Sequence, residues 1–318
     1  MKLGMQVMTR GPMAAPGGMA ALAREAEALG FDFAAINDHV VVPRDIGSKY
    51  PYSESGAWPG KVFGECMDVL TAIAFVAGCT ERLRMVSSVM VVPYRPALLT
   101  AKMVATADVL SGGRLTLGIG VGWMEEEFVA VGAAPFAERG RVTDAQIEAW
   151  KVLWTEDEPT FASEHVTFGK ISFAPKPVQK PHPPIWIGGE SKPALRRTVR
   201  YADAWFPASS NPKNMLDSVA RLRRGIGELH GLCQQIGRDP ASIDIAYLAG
   251  WPVNWDAQKG PDGERRMMTG SAADMAADLD ALGRIGVNHM TLTFQTLDLN
   301  ETLDRMRRFA ADVMPLVK

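Results

Sequence analysis

The chain has few cysteines, no long apolar run and no excess of charge of either sign, and each shortage excludes a class of protein. Its 318 residues include three cysteines, Cys66, Cys79 and Cys233. An odd number of widely spaced cysteines argues against a disulfide framework and against a zinc site of the Cys-x-x-Cys kind. We therefore interpret all three as small core residues.

The charges are balanced and evenly mixed along the chain. There are 34 basic and 36 acidic residues, which give a net charge of −2. Without a basic stripe or a polybasic segment, neither nucleic acid nor a membrane surface is expected as a partner. Met1-Lys2-Leu3 leads directly into a strand pattern with no targeting leader, and no uncharged apolar run reaches the roughly 18 residues of a membrane span. We expect a soluble, cytoplasmic protein that acts on a small molecule.

Strand-like runs alternate with amphipathic helical stretches from one end of the chain to the other. This alternation occurs eight times without a low-complexity linker, and it predicts a (β/α)8 TIM barrel that forms a single domain over residues 1–318. Insertions are expected at about 38–65, 155–182 and 250–270, the second with a hairpin turning at Phe168-Gly169-Lys170. An open doubly wound sheet is the rival fold. It would normally carry Gly-x-Gly-x-x-Gly in its first turn, which here reads Thr9-Arg10-Gly11-Pro12.

The stretch from Leu83 to Trp123 is the most informative part of the pattern. It reads as a strand over Leu83 to Val91, a helix over Ala97 to Leu110, a Gly-Gly turn and a second strand over Leu115 to Gly120. Two parallel strands joined by a helix form a βαβ unit. Because both strands end in small residues, the carboxyl end of the barrel is expected to admit a flat ligand there.

Active sites of such barrels lie at the carboxyl ends of the strands, so candidate residues are sought there. His39 follows the second strand, and an imidazole at this place can act as an acid, a base or a hydrogen-bond donor. The alternative is a histidine satisfied by Asp38 or by a backbone carbonyl. The other histidines show no metal-ligand spacing, so no metal is expected. The strand ends also lack a Schiff-base lysine and a Gly-x-Ser-x-Gly elbow.

The segment Gly188-Gly189-Glu190-Ser191 is a candidate phosphate site. It combines exposed amides, a hydroxyl and the start of a helix, which together suit an anion. The alternative is a simple capped turn. Ser271, which opens a capping box, is a second and weaker phosphate candidate.

The run "GIGVGW", from Gly118 to Trp123, lacks the spacing of a dinucleotide loop. Its glycines are interpreted as room for a planar ring system, with Trp123 as a wall of the pocket. The alternative is a tightly packed corner with Trp123 in the core.

Several long blocks together resemble the luciferase-like monooxygenase superfamily, in particular the branch that uses the deazaflavin coenzyme F420. The resemblance implies a cofactor in the barrel mouth and a non-prolyl cis peptide between Ser88 and Val89 at the end of the third strand. It implies cofactor contacts from Asp38, His39, Ser88, Val89, Val121, Gly122 and Trp123, and a phosphate-tail site at Gly188, Gly189, Glu190 and Ser191. The blocks that carry it are "INDHVVVP", "SSVMVVPYRPALLTAK", "ATADVLSGGRLTLGIGVGWMEEEFVAVG", "FAERGRVTDAQIEAWKVLW" and "PKPVQKPHPPIWIGGES".

The sequence departs from the sugar-phosphate dehydrogenases of that branch, which carry a proton-donating glutamate where this chain has Trp123. A fairly apolar organic substrate is therefore expected. The leading hypothesis is an F420-dependent oxidoreductase that transfers a hydride, with His39 as the catalytic residue and Asp38 orienting it. One alternative is an FMN-dependent monooxygenase supplied by a partner flavin reductase, and another is a flavin-binding protein without turnover. The resemblance also implies a homodimer.

Overall fold

The computed structural model describes residues 1–63, 66–260 and 262–317, so residues 64, 65 and 261 of the predicted insertions lie outside the described residues. Its centre is a closed barrel of eight parallel strands, each paired with its two neighbours along the chain. The eighth strand closes on the first, with His289 opposite Lys2. The strands are β1 (Lys2–Val7), β2 (Phe33–Ile36), β3 (Arg84–Ser87), β4 (Leu115–Gly120), β5 (Ile185–Gly188), β6 (Ala204–Phe206), β7 (Asp244–Pro252) and β8 (Val287–Thr293).

Helices follow every strand and surround the barrel, which confirms the predicted TIM-barrel fold. The sequence predicts a helical stretch from Glu125 to Trp154 that is broken near Ala134-Pro135, and the connection after β4 carries two helices separated at this place. The helices are α1 (Gly18–Ala28), α2 (Val69–Cys79), α3 (Ala97–Leu110), α4 (Glu125–Ala130), α5 (Arg139–Thr155), α6 (Lys192–Tyr201), α7 (Val219–Gln235), α8 (Ala272–Arg284) and α9 (Leu299–Asp312).

The buried apolar side chains form two layers. One cluster fills the barrel interior with Phe33, Val86, Trp186 and Phe206. A larger cluster lies between the strands and the surrounding helices. Because each parallel strand is covered on both faces, strands such as β2 are buried at every position, which is why they read as continuous apolar runs. Within the described residues, no helix combines the length and the apolar character needed to cross a bilayer.

The third strand is shorter than predicted. β3 ends at Ser87, the Ser88–Val89 peptide is cis as the resemblance implied, and Met90–Val91 then pairs separately with the end of β4. The chain therefore bulges between these two paired segments, and the bulge faces the glycines of β4 and β5.

These glycines make room for the bulge. Their interpretation as open space for a planar ring is therefore wrong. A Cβ atom on Gly118 would lie 2.0 Å from the Ser87 carbonyl oxygen. A Cβ on Gly120 or Gly188 would lie 2.7 or 3.0 Å from the methyl groups of Val89. Close packing against the end of β3 and the bulge leaves no space for a Cβ atom, so glycine is required at these positions.

Two local predictions also need correction. The hairpin pairs Phe161–Ala162 with Thr167–Phe168 and turns at Ser163–Val166, because the Ser163 hydroxyl accepts the amides of His165 and Val166. The sequence pattern also predicts a long helix over Pro212 to Gly237, but this helix begins only at Val219, where Ser218 caps it by accepting the Arg221 amide at 3.3 Å. In both places a serine hydroxyl decides the boundary.

The prediction that the cysteines are small core residues is confirmed for Cys233 only. All three cysteines are free, Cys233 is buried, and Cys66 and Cys79 are partly exposed.

Replacing Gly118 with alanine should destabilise the protein by about 1–3 kcal/mol or more, because the added methyl group overlaps the Ser87 carbonyl. Urea unfolding measures the effect. Gly227→Ala is the matched control: no described atom lies within 4 Å of its added Cβ, and alanine in a helix interior should stabilise by about 0.5–1 kcal/mol. Equal stabilities of Gly118→Ala and the wild type would contradict the close approach.

Candidate active site

His39 lies at the carboxyl end of β2, and its ring is held by a carboxylate from another part of the chain. Its Nδ1 is 2.7 Å from the Oε2 atom of Glu127, on α4. His39 is 7% exposed and Glu127 is fully buried. A carboxylate at this distance accepts the Nδ1 proton, so the other ring nitrogen, Nε2, is the one left to meet a ligand.

Glu127 collects further donors from the same region. Its Oε1 atom accepts the amides of Val40 and Val41 at 2.7 and 3.2 Å, and its Oε2 atom accepts the Tyr94 hydroxyl at 3.0 Å. Burial, together with the Glu127 charge, raises the pKa of Tyr94, so its phenol stays protonated and donates. A buried carboxylate is stable only with such partners.

Asp38 does not have the predicted role of orienting His39. Its two oxygens accept hydrogen bonds from the guanidinium of Arg95, each at 2.8 Å, and Oδ2 also accepts the Val91 amide at 2.9 Å. Arg95 additionally binds Asp68. Asp38 thus fastens the end of β2 to the segment after β3, and the sequence prediction assigned to Asp38 a contact that Glu127 makes.

Aromatic side chains gather over His39 at the mouth of the barrel. The ring centre of Trp58 lies 4.5 Å from that of His39, and Trp123 lies 5.9 Å from Trp58. Tyr50 lies 5.1 Å from Trp123 and 5.5 Å from Tyr52. Trp123 therefore belongs to an aromatic wall to which the loop between β2 and α2 contributes most of the other rings, and its place in a ligand pocket stays a prediction.

A cavity of about 280 Å³ opens between the ends of β4 and β5. Gly188 and Ser191 line it, together with Arg139 and Arg197. Arg197 is paired with Asp144, whereas no described carboxylate lies within 4.0 Å of Arg139. The Arg139 guanidinium stacks 3.9 Å from the centre of the Phe136 ring, and its Nε is buried without a hydrogen-bond partner. An unneutralised arginine beside a helix start suits an anion.

The four residues of the predicted phosphate segment divide their roles. Ser191 caps α6 by accepting the Ala194 amide at 3.3 Å, and Gly189 has a positive φ of 103°. Glu190 turns away from the cavity and accepts hydrogen bonds from the Ala208 amide and the Asn211 side chain at 2.7 and 2.8 Å. Burial raises the pKa of Glu190. Its side chain is thus a structural tie, and the segment could bind an anion only through the other residues.

Ser271 forms the predicted capping box with Asp274. Because the Asp274 carboxylate occupies both the Ser271 amide and its hydroxyl, this helix start is already satisfied by a negative charge. It is a poor phosphate site.

Several residues of the mouth had no signal in the sequence. Glu127 lies within a helix of three consecutive glutamates, and only its distance from His39 distinguishes it from its neighbours. Arg139 is the first residue of α5, and the helical pattern alone does not distinguish it as a binding residue. A search for basic residues at the starts of the helices between β4 and β5 would have found Arg139.

A second cavity, of about 410 Å³, lies at the opposite end of the barrel. Its carboxylates already hold the starts of strands: Asp32 accepts the Leu3 amide, and Asp203 accepts the Ile185 amide. Barrel enzymes use the carboxyl ends of their strands, so this end is interpreted as structural.

The carboxylates of Glu138 and Glu164 approach His165, with ligand atoms within 4.8 Å of one another. Arg141 pairs with both glutamates, at 3.4 and 3.3 Å. Its positive charge offsets one of the two negative charges, which weakens any attraction for a cation.

Comparison with known proteins adds the family. A family model described as luciferase-like monooxygenase matches residues 1–259. An uncharacterized protein of Mycobacterium tuberculosis is 34% identical over 237 residues, which cover 73% of this chain and 77% of that protein. An FMNH2-dependent dimethylsulfone monooxygenase of Pseudomonas putida is 34% identical over 146 residues, 45% of this chain and 40% of that protein.

Solved structures share the fold. An F420-dependent secondary alcohol dehydrogenase in complex with an F420-acetone adduct superposes with a TM-score of 0.74 and 16% identity, over 100% of this chain and 99% of that one. At this identity the likeness concerns the fold alone.

Glu127→Met should remove both carboxylate oxygens, including the acceptor of the His39 Nδ1 proton, and leave buried donors unsatisfied. We expect a loss of about 2 kcal/mol or more in unfolding free energy. The downfield imidazole proton of His39, assigned by its absence in His39→Ala, should disappear from the NMR spectrum. Tyr94→Phe is the matched control, because it removes one donor, should cost about 1 kcal/mol and should keep that proton. A wild-type spectrum without the Nδ1 proton would contradict the His39–Glu127 bond.

Proposed function

Because the chain belongs to the luciferase-like monooxygenase family, we propose that it is an oxidoreductase that uses coenzyme F420 to move a hydride to or from a small organic substrate. The observation that carries the proposal is that one barrel mouth holds both a cavity lined by Arg139 and a histidine, His39, whose Nε2 has no hydrogen-bond partner among the described residues. Family membership favours this enzyme over a flavin-binding protein without turnover.

Two observations support a phosphate-bearing ring cofactor at the mouth. The Arg139 cation has no described counter-ion and lies in the same cavity as Ser191 and Gly188. The aromatic wall around Trp123 offers flat apolar surface next to His39. Arg139, Ser191 and the Gly188–Gly189 backbone would hold the phosphate, while Val89, Val121 and Gly122 would border the ring. The bound deazaflavin would supply the hydride chemistry.

The protein's own part is to place a proton at His39 Nε2. With Nδ1–H donated to Glu127, the free lone pair of a neutral His39 lies on Nε2, and this atom can accept a proton from a bound ligand. Tyr94 and the Val40 and Val41 amides keep that carboxylate fixed. His39 can therefore act as either base or acid without changing its orientation.

A second candidate function is an FMN-dependent monooxygenase that receives reduced flavin from a partner reductase. The similarity to the dimethylsulfone monooxygenase of Pseudomonas putida favours it. Both cofactors carry a phosphate beyond a flat tricycle, so the cavity at Arg139 suits either. In both cases a fairly apolar substrate would lie against the aromatic wall.

We also propose that the enzyme works as a homodimer in the cytoplasm. Exposed apolar side chains lie on two adjacent helices, Phe75 on α2 and Leu98, Leu99 and Leu110 on α3, with exposed fractions of 38–68%. A second copy covering this surface would remove it from water. The three free cysteines are compatible with a reducing compartment.

Arg139→Met should weaken binding of F420 and of FMN by about 10- to 100-fold, because one charge-assisted hydrogen bond to phosphate is lost. Fluorescence titration measures the Kd. Riboflavin, which lacks the phosphate, should bind the variant and the wild type equally. Arg141→Met is the matched control, since Arg141 lies on the same helix with a side chain 62% exposed. An equal loss for riboflavin and FMN would refute a phosphate role.

The same titration of the wild type separates the two cofactors. We expect at least about tenfold tighter binding of F420 than of FMN. Tighter binding of FMN, with a reduced complex that air reoxidises, would favour the monooxygenase. Binding of neither would overturn both functions.

His39→Ala should lower turnover of the loaded enzyme by about 100-fold if Nε2 transfers a proton, with little change in cofactor affinity. The measurement is kcat under saturating cofactor. His230→Ala, on the outer helix α7, is the control and should match the wild type. An unchanged kcat in His39→Ala would remove His39 from the mechanism.

A further inference from the structure

Arg10 is a second cation at the barrel mouth that has no ion pair among the described residues. It follows β1, and its guanidinium lies 5.0 Å from the centre of the Trp58 ring. Its Nη1 is 4.0 Å from the Sγ of Cys66, and its Nε is buried without a hydrogen-bond partner. Within residues 1–63, 66–260 and 262–317, no carboxylate comes within ion-pair distance of Arg10. A ring face and a thiol are weak partners for a guanidinium, so it keeps its capacity to bind an anion.

The carboxylates that belong to this mouth are already occupied. Glu127 accepts four hydrogen bonds, and Asp38 is neutralised by Arg95. Glu190 is tied to Ala208 and Asn211. Their oxygens are therefore engaged with other donors, and none of these carboxylates forms an ion pair with Arg10.

Arg10 lies across the barrel from the phosphate cavity. Arg10 follows β1, which pairs with β2 and β8, whereas the cavity with Arg139 lies between β4 and β5 on the far side of the ring of strands. A cofactor phosphate held at Arg139 leaves Arg10 for a different anionic group.

Flat apolar surface separates Arg10 from the candidate catalytic histidine. Trp58 contacts Arg10 on one side and lies 4.5 Å from His39, and Trp123 lies next to both rings. The Gly60 backbone packs closely against Arg10, since a Cβ on Gly60 would lie 2.9 Å from the guanidinium carbon. The guanidinium is thus positioned by its surroundings rather than free in solvent.

We propose that Arg10 binds a carboxylate of the substrate, whose flat apolar body packs against Trp58 and Trp123. The inference rests on the proposed function for the place of the substrate, and it narrows the substrate class from an apolar molecule to an organic acid with an aromatic or extended apolar body. A planar guanidinium fits a carboxylate through two parallel hydrogen bonds, which an amide cannot reproduce. Arg10 is a specificity-determining residue in this arrangement.

The test uses benzoate and its neutral counterpart benzamide as probes, in ligand-observed NMR titrations of the protein without cofactor. Wild type should bind benzoate at least about tenfold more tightly than benzamide, and added NaCl should weaken only benzoate. Arg10→Met should abolish the preference while keeping the benzamide affinity. Arg10→Lys should retain part of it, because it keeps the charge and loses the planar fork. Arg141→Met, the control, should behave as wild type.

Equal affinities for the two probes in the wild type would overturn the proposal. So would an Arg10→Met variant that loses affinity for F420 or FMN and keeps its benzoate preference, since Arg10 would then serve the cofactor. Because these titrations need neither cofactor nor turnover, they can fail while the oxidoreductase assays succeed, and the reverse.

Discussion

The buried carboxylate of Glu127 is the interaction on which the barrel mouth depends. It accepts hydrogen bonds from His39, Tyr94 and the amides that follow β2, so it joins segments from three successive βα units. An unpaired carboxylate in this place would cost several kcal/mol. The four donors must therefore stay together, and the orientation of His39 is a consequence of that requirement rather than of its own local sequence.

A second constraint adjoins the first and comes from packing rather than charge. The bulge after β3 occupies the space beside Gly118, Gly120 and Gly188 with a carbonyl oxygen and the methyl groups of Val89. Asp38 holds the far end of the same bulge, through the Val91 amide and through Arg95. One side of the bulge thus borders the His39 region, and the other borders the cavity at Gly188, which couples the positions of the two halves of the site.

Much of the fold was predictable, because apolar periodicity is a local property. The bounds Ala97–Leu110 and Leu115–Gly120 match the predicted helix and strand, since a buried helix and a buried strand each mark their own ends. The boundaries that failed, at Ser163 and Ser218, depend on single hydroxyl hydrogen bonds that compete with a periodic pattern. The cis bond came from the family resemblance and not from any pattern in the residues.

The candidate site was predictable only in part. His39, Trp123 and Ser191 lie where strand ends put them, and position along the chain was enough to find them. The partner of His39 is 88 positions away, and that of Asp38 is 57. Because Asp38 and His39 are adjacent in sequence, a contact between their side chains was predicted. The side chains of successive residues in extended chain point in different directions, however. Contacts between distant strand ends therefore become apparent only when the strands are placed in the closed barrel.

The distribution of charge at the mouth follows from these same pairings. Since Asp38 is paired with Arg95 and the oxygens of Glu127 are engaged by four donors, the middle of the mouth presents rings and one imidazole nitrogen to a ligand. Two described cations at the mouth lack an ion-pair partner: Arg139, near β4 and β5, and Arg10, near β1. In a low-dielectric mouth, two separated cations with a neutral aromatic floor favour ligands whose negative charges lie at their ends. A cofactor with a phosphate tail and an acidic substrate, meeting over His39, would satisfy both cations at once, whereas a neutral pair of ligands would leave each cation unsatisfied.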